Sequence, residues 1–413
     1  MISKDFFTVA FFDILVKAFT AVSSILLIRF LSVQVYASYV KFNSISSLIF
    51  CVVGTSLSVA YARAGTEYTS RGFKCYKTIY NICILLLFIS ILLASSFIPL
   101  MSKLYSATIL VSVTSIIYGF VQSLSRINES YFQVKGQYNT AGLLYNAKSI
   151  FLIVFLFFAI FFLIDLNELS VFCLFIISAS IPVFIAFFLI RKEERNVIDD
   201  KLDRTTIKLI FAETVTLVFY WLLLNLIDQT DVVLINHLMD DSALSNYGVA
   251  LKYYQLLLTL QGSLATVLRI RTAKKEVVDS KKRQAEIFVN WIKKTGIFIL
   301  CVLIISNVFA EPVLNLLNGE RYSCAIPAFR VFVFGAAISY LFAPNVAVMM
   351  AAKRYKTLCL FTICGFIINA LIAVIFIPQI GIVAAAIATV SGNAFLNIAS
   401  FFTIIKRGQH NED

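Results

Sequence analysis

The chain has 413 residues, 60% of them hydrophobic and 14% charged, with a mean hydropathy of +0.88 and a net charge of +12. A water-soluble domain of this size does not tolerate that hydropathy, so a soluble enzyme is excluded. With about 20 apolar residues per membrane-spanning helix, the length leaves room for roughly a dozen spans and no sizeable extramembrane domain.

Taken in chain order, apolar runs predict helices at 6–28, 36–62, 78–100, 106–125, 138–164 and 169–190. A charged stretch from Arg191 to Arg204 follows, and six further runs fall near 206–227, 245–268, 287–310, 325–351, 357–377 and 381–405. The runs are too long, and too little alternating, for the roughly ten-residue strands of a membrane barrel. The predicted fold class is an all-α polytopic membrane protein with twelve transmembrane helices. Its domains are an N-terminal six-helix bundle (1–190), a cytoplasmic linker (191–205) and a C-terminal six-helix bundle with a short cytoplasmic tail (206–413). Six helices in each half place the pseudo-two-fold axis along the membrane normal. Weak internal similarity accompanies that division: Tyr36 precedes Lys41 by the same spacing as Tyr247 precedes Lys252, and Asp13 and Glu213 lie equally far into their helices.

Lys and Arg set the orientation. With the N-terminus inside, 25 basic residues fall in cytoplasmic segments and two, Lys103 and Arg321, in the opposite loops. Those outer loops also take the acids Asp165, Glu168, Asp228, Asp231, Asp240, Asp241, Glu311 and Glu320. Both termini are expected in the cytoplasm and the protein in the bacterial inner membrane, its basic charge facing the inner leaflet and not a nucleic acid. The first span is too long for a signal-peptide core and has no small-residue cleavage site after it. Seven of the eight Cys fall in spans or on the cytoplasmic side, with only Cys324 outside, so no disulfide framework is expected. Cys359 and Cys364 lack a second ligand pair, which argues against zinc. His237, in a predicted outer loop, and His410, in the tail, have no catalytic setting, and no cofactor is implied.

Charges within the spans are costly and face a partner or a water-filled cavity. Eight basic residues fall there, Lys17, Arg29, Lys41, Lys148, Lys252, Lys293, Lys294 and Arg330, against two acids, Asp13 and Glu213. Arg29, Lys293 and Lys294 lie near a membrane face and can anchor there by snorkelling. Lys41, Lys252 and Arg330 lie somewhat deeper, where an anchor and a cavity lining are both open. Lys17 and Lys148 are near mid-helix, roughly 15 Å from either surface. Asp13 and Lys17 share a helix face, and either a local ion pair or a substrate role fits that spacing. The basic surplus calls for an anionic ligand: a solute, a lipid head group or a phosphate-linked sugar. Lys17, Arg29, Lys41, Lys148, Lys252 and Arg330 are the candidate cationic cavity, and Asp13 and Glu213 are candidates for ion coupling.

Asn318-Gly-Glu-Arg-Tyr322, Ala325-Ile-Pro-Ala-Phe-Arg-Val-Phe-Val-Phe334 and Met350-Ala-Ala-Lys-Arg-Tyr-Lys356 resemble helices nine to ten of the polysaccharide transporters in the multidrug/oligosaccharidyl-lipid/polysaccharide exporter superfamily. Asn369 through Pro378, then Gly381 through Thr389, are similar to the same family's last two helices, as is Ile28-Arg-Phe-Leu31 in the first half. Physically these motifs serve packing and turns: Pro378 and Gly381 end one helix and open the next, and the Ala run permits close approach. The resemblance implies an O-antigen flippase with a V-shaped pair of bundles and a central cationic cavity. Such a protein moves an undecaprenyl-pyrophosphate-linked oligosaccharide from the cytoplasmic to the periplasmic leaflet by alternating access, alongside O-antigen assembly proteins. Two alternatives stand beside it. A polytopic O-antigen polymerase or ligase needs a sizeable outer loop or an early outer acid, and Leu31 to Val35 offers neither. A multidrug or cation antiporter of the same superfamily calls for an acidic cavity.

Overall fold

The computed structural model describes residues 4–70, 76–162, 164–193, 204–272, 281–351 and 354–409. Among them every regular element is helical. In the first half these are α1 (Lys4–Phe30), α2 (Val33–Ile49), a π-helical turn (Phe50–Thr55), α3 (Ser56–Ser70), α4 (Tyr76–Ser96), α5 (Ile98–Leu104), α6 (Ile109–Val134), α7 (Tyr138–Phe161) and α8 (Glu168–Glu193). There follow α9 (Arg204–Leu238), α10 (Asp241–Thr272), α11 (Lys281–Val308), α12 (Ala310–Asn318), a 3-10 turn (Glu320–Tyr322), α13 (Ala325–Leu341), α14 (Ala343–Ala351), α15 (Tyr355–Ile380) and α16 (Ile382–Gln409). With α2 to α3 and α13 to α14 each read as one interrupted rod, the twelve predicted passages are all present. Among the described residues, nine helical stretches are long and apolar enough to cross a membrane, and Ala325–Leu341 is a shorter apolar helix. The chain is built as a multi-pass membrane protein.

It divides into two compact units, Met1–Asn225 and Leu226–Asp413, the division falling within α9. In the first unit α6 is central: α2, α3, α4, α5, α7 and α8 all pack on it, and α1 packs on α7. Small residues permit the approach. A Cβ on Gly54 would lie 2.6 Å from Ser123 Oγ, and one on Gly119 would lie 2.9 Å from Ile49 Cβ, so α6 and the α2 to α3 rod are nearly in backbone contact. Phe42 then stacks on Phe172 at 4.4 Å and on Tyr118 at 5.2 Å, tying α2, α8 and α6 together. The second unit is held by α13, which packs on α10, α11 and α16, and by the extensive α15 to α16 pair.

Position in each unit sets burial. The most apolar window of α6 is 50% buried and that of α11 only 11%, so α11 turns most of its surface outward. Ile297, Phe298, Leu300 and Ile305 are exposed on it, as are Leu85, Phe88 and Leu92 on α4. In a bilayer such faces meet lipid chains, and their exposure carries no hydrophobic penalty.

Three boundaries differ from the sequence reading for identifiable reasons. The seventh span was expected to end at 227, but α9 continues to Leu238, because neither Gly nor Pro interrupts 204–247 and Asp228 and Asp231 fall at helical spacing. The expected outer loop of 228–244 therefore contracts to Met239 and Asp240, with Asp240 Oδ1 accepting from Ala243 N at 2.8 Å to cap α10. His237 accordingly lies in the last turn of α9. Pro378 does not stop its helix: α15 runs through it to Ile380, and the stop is Gly381, whose φ of +64° is open to glycine at little cost.

Candidate functional site

Each unit contributes its own feature, basic side chains in the first and a buried carboxylate in the second. In the first unit Lys41 is 8% exposed within α2, beside the Phe42 stack. Lys17 on α1 and Lys148 on α7 are half-buried. Lys148 Nζ lies 4.3 Å from the centroid of the Tyr145 ring, and Arg126 lies 5.6 Å from the same centroid. Arg126 also pairs with Glu129 at 2.5 Å, and Gln133 Nε2 donates to Glu129 Oε1 at 2.8 Å. One ring thus holds two cations, one bound to a neighbouring acid and the other on the next helix, a cation–π arrangement that strengthens where water is excluded.

The remaining predicted cations differ in setting. Lys252 is half-buried on α10, whereas Arg29 is exposed in the last turn of α1. Arg330 makes an exposed ion pair with Glu311 at 3.7 Å. Lys293 and Lys294 are exposed on α11. The side chains of Asp13 and Glu213 lie outside the described residues.

In the second unit, Asp231 is fully buried and accepts three hydrogen bonds. Tyr247 OH donates to Oδ2 at 2.9 Å, Thr389 Oγ1 donates to the same oxygen, and Asn369 Nδ2 donates to Oδ1 at 3.3 Å. Four helices meet there: α9, α10, α15 and α16. One turn earlier on α9, Asp228 accepts from Asn393 of α16.

Sequence dictates this convergence through two glycines. A Cβ on Gly365 would lie 2.7 Å from Gly392 O, and one on Gly392 would lie 2.7 Å from Gly365 O, so α15 and α16 cross with no room for a side chain. Asn369 lies one turn beyond Gly365 and Thr389 one turn before Gly392, and the crossing brings both to Asp231. Ala384, Ala385, Ala386 and Ala388 are fully buried along α16, as close packing of the Ala run requires. The same position of Gly365 is 3.6 Å from Ile227 Cδ1, which seats α9 against the crossing one turn before Asp231.

Chemically the cluster offers oxygen ligands around one carboxylate. Asn369 Oδ1 is buried without a hydrogen-bond partner, and a half-turn of the amide exchanges it with Nδ2. A carboxylate, an amide oxygen and two hydroxyls form a hard-oxygen set with a single dominant charge. Among the described residues no group of three or more His, Cys, Asp or Glu gathers as a metal cluster. Such a set suits a monovalent cation better than zinc or a divalent ion.

The sequence reading placed Asp228 and Asp231 in an outer loop and took Asn369 and Thr389 as packing motifs. The signal that finds them is the helical spacing of Asn225, Asp228 and Gln229 in a stretch without helix breakers.

No protein-family model matches the chain, and no curated protein matches its sequence. Solved structures do. An inward-facing multidrug resistance MATE family transporter of the MOP superfamily superposes with a TM-score of 0.80 at 14% identity, covering 95% of both chains. The fold is that of MOP-superfamily transporters. Lipid II flippase MurJ, in an inward closed conformation, matches with a TM-score of 0.74 at 16% identity over 98% of this chain and 88% of its own. A MOP superfamily transporter from Pyrococcus furiosus, described as having a binding pocket of reverse polarity, matches at 0.68 and 14% identity, over 100% of this chain and 98% of its own.

Proposed function

We propose that the protein is an inner-membrane flippase that moves a lipid-linked oligosaccharide, carried on undecaprenyl pyrophosphate, from the cytoplasmic to the periplasmic leaflet by alternating access. The observation that carries this reading is that Lys41 is buried and Lys17, Lys148 and Lys252 are half-buried within helices of the predicted spans. Buried Lys41 and half-buried Lys17, Lys148 and Lys252 are the proposed pyrophosphate-handling groups. A phosphate-bearing head group offers oxygen acceptors for such ammonium donors.

Asp231, with Tyr247, Asn369 and Thr389, is the proposed coupling site. A monovalent cation bound there would neutralise a carboxylate shared by four helices, so its arrival and departure would bias how those helices pack. The same acids favour a second reading, a cation-coupled drug antiporter, whose cationic substrate would require acids at the substrate path itself.

Removal of the protein from its host separates the two. A flippase leaves a lipid-linked oligosaccharide accumulating on the cytoplasmic leaflet and surface O-antigen lost. Intact O-antigen together with increased sensitivity to cationic drugs would instead establish the antiporter.

A further inference from the structure

A separate cavity of about 680 Å³ opens in the first unit, where the first turn of α4 meets the last turns of α8. Lys77 and Asn81 line it from α4, and Phe187, Phe188, Arg191 and Lys192 line it from α8. Its floor belongs to the core of that unit: Tyr80 and Ile190 are buried in one cluster with residues of α3 and α6, and Tyr80 OH is engaged by Asn128 Oδ1 at 2.7 Å. Among the described residues that line the cavity, three are cations and none is an acid.

The acid nearest in sequence is turned elsewhere. Glu193 accepts from Lys135 Nζ at 3.1 Å through one oxygen and from Gln137 Nε2 at 3.1 Å through the other, which commits both oxygens to the α6 to α7 side. The other wall is apolar: Phe187 and Phe188 are 48% and 68% exposed, on a helix surface that continues outward through Phe184 and Ile185.

A cationic recess with an apolar, outward-facing wall has the two-part chemistry of a phospholipid, with phosphate held by Lys and Arg and acyl chains lying along exposed Phe. A free anion has no use for the second part. We infer that this recess is a binding site for one anionic phospholipid of the cytoplasmic leaflet, distinct from any transported substrate. The inference rests on α4 and α8 crossing the membrane with their Lys77 and Arg191 ends at the cytoplasmic face, and not on the flippase reading.

The test uses the full chain purified in mild detergent, with phosphatidylglycerol, phosphatidylethanolamine and inorganic phosphate as probes and retained lipid counted by native mass spectrometry. Wild type is expected to hold one phosphatidylglycerol in preference to phosphatidylethanolamine. The triple variant Lys77→Gln, Arg191→Gln, Lys192→Gln is expected to bind it roughly 100-fold more weakly, since each basic group contributes about a fivefold attraction at an anionic surface. The double variant Lys293→Gln, Lys294→Gln, which removes exposed cations elsewhere, should retain it fully. A charge-preserving Lys77→Arg, Lys192→Arg variant should also retain it, which separates lost charge from lost folding. Equal retention by the wild type and the triple variant, or competition by inorganic phosphate as effective as that by phosphatidylglycerol, would overturn the assignment.

Discussion

Thr389→Val is the sharpest test of the proposed coupling site, because Val has nearly the shape of Thr and replaces the hydroxyl by a methyl. Asp231 Oδ2 accepts from both Tyr247 and Thr389, and Oδ1 accepts from Asn369. The variant therefore removes one of three donors at a fully buried carboxylate, and one of the oxygen ligands available to a cation. A hydrogen bond to a charged group contributes about 1.5–3 kcal/mol. If the hydroxyl serves equally as a ligand, cation affinity falls roughly 10-fold to 150-fold. The assay is the thermal midpoint of the purified protein against sodium concentration, with ionic strength held constant by choline. Wild type should show a sodium-dependent rise, because a ligand that binds only the folded state stabilises it by mass action. Thr389→Val should need at least tenfold more sodium for the same rise, and Asp231→Ala should show none. A sodium response of equal midpoint in all three proteins would refute the assignment of the cation to Asp231.

Other consequences follow from separate parts of the structure. Lys41→Ala and Lys148→Ala should each reduce surface O-antigen while the protein remains in the membrane fraction, with Lys148→Arg retaining most display; full display from both Ala variants would remove these lysines from the substrate path. Gly392→Ala places a methyl 2.7 Å from Gly365 O and should destabilise the second unit by about 1–3 kcal/mol as an overpacked contact, read as a lowered thermal midpoint and a lost sodium response. Arg330→Ala breaks only the exposed pair with Glu311 and should change stability by less than about 1 kcal/mol, measured by the same melting assay. Cys324 is exposed at the start of α13 and should be labelled by a membrane-impermeant maleimide in intact spheroplasts; labelling only after permeabilisation would reverse the proposed orientation.

Hydrophobic run length determined the twelve passages, because a span of bilayer demands about 20 apolar residues whatever they pack against. The sign and placement of charge likewise put Lys41 and Lys148 inside predicted spans, a reading made along one dimension. What the runs did not disclose was the end of α9. Polar Asn225, Asp228, Gln229 and Asp231 lower local hydropathy as a loop would, and only the contacts of Asp231 with α10, α15 and α16 distinguish a buried helix from a loop in water. Asn369 and Thr389 were visible in the sequence as packing motifs, 20 residues apart along the chain. Their convergence on one carboxylate depends on Gly365 and Gly392 crossing without side chains. The basic recess beside α4 was hidden for the same reason: Lys77 and Arg191 belong to one site only because α4 and α8 share a core through Tyr80 and Ile190. Periodicity and charge act along the chain and were legible there, whereas a site formed by several helices exists only once their close contacts are made.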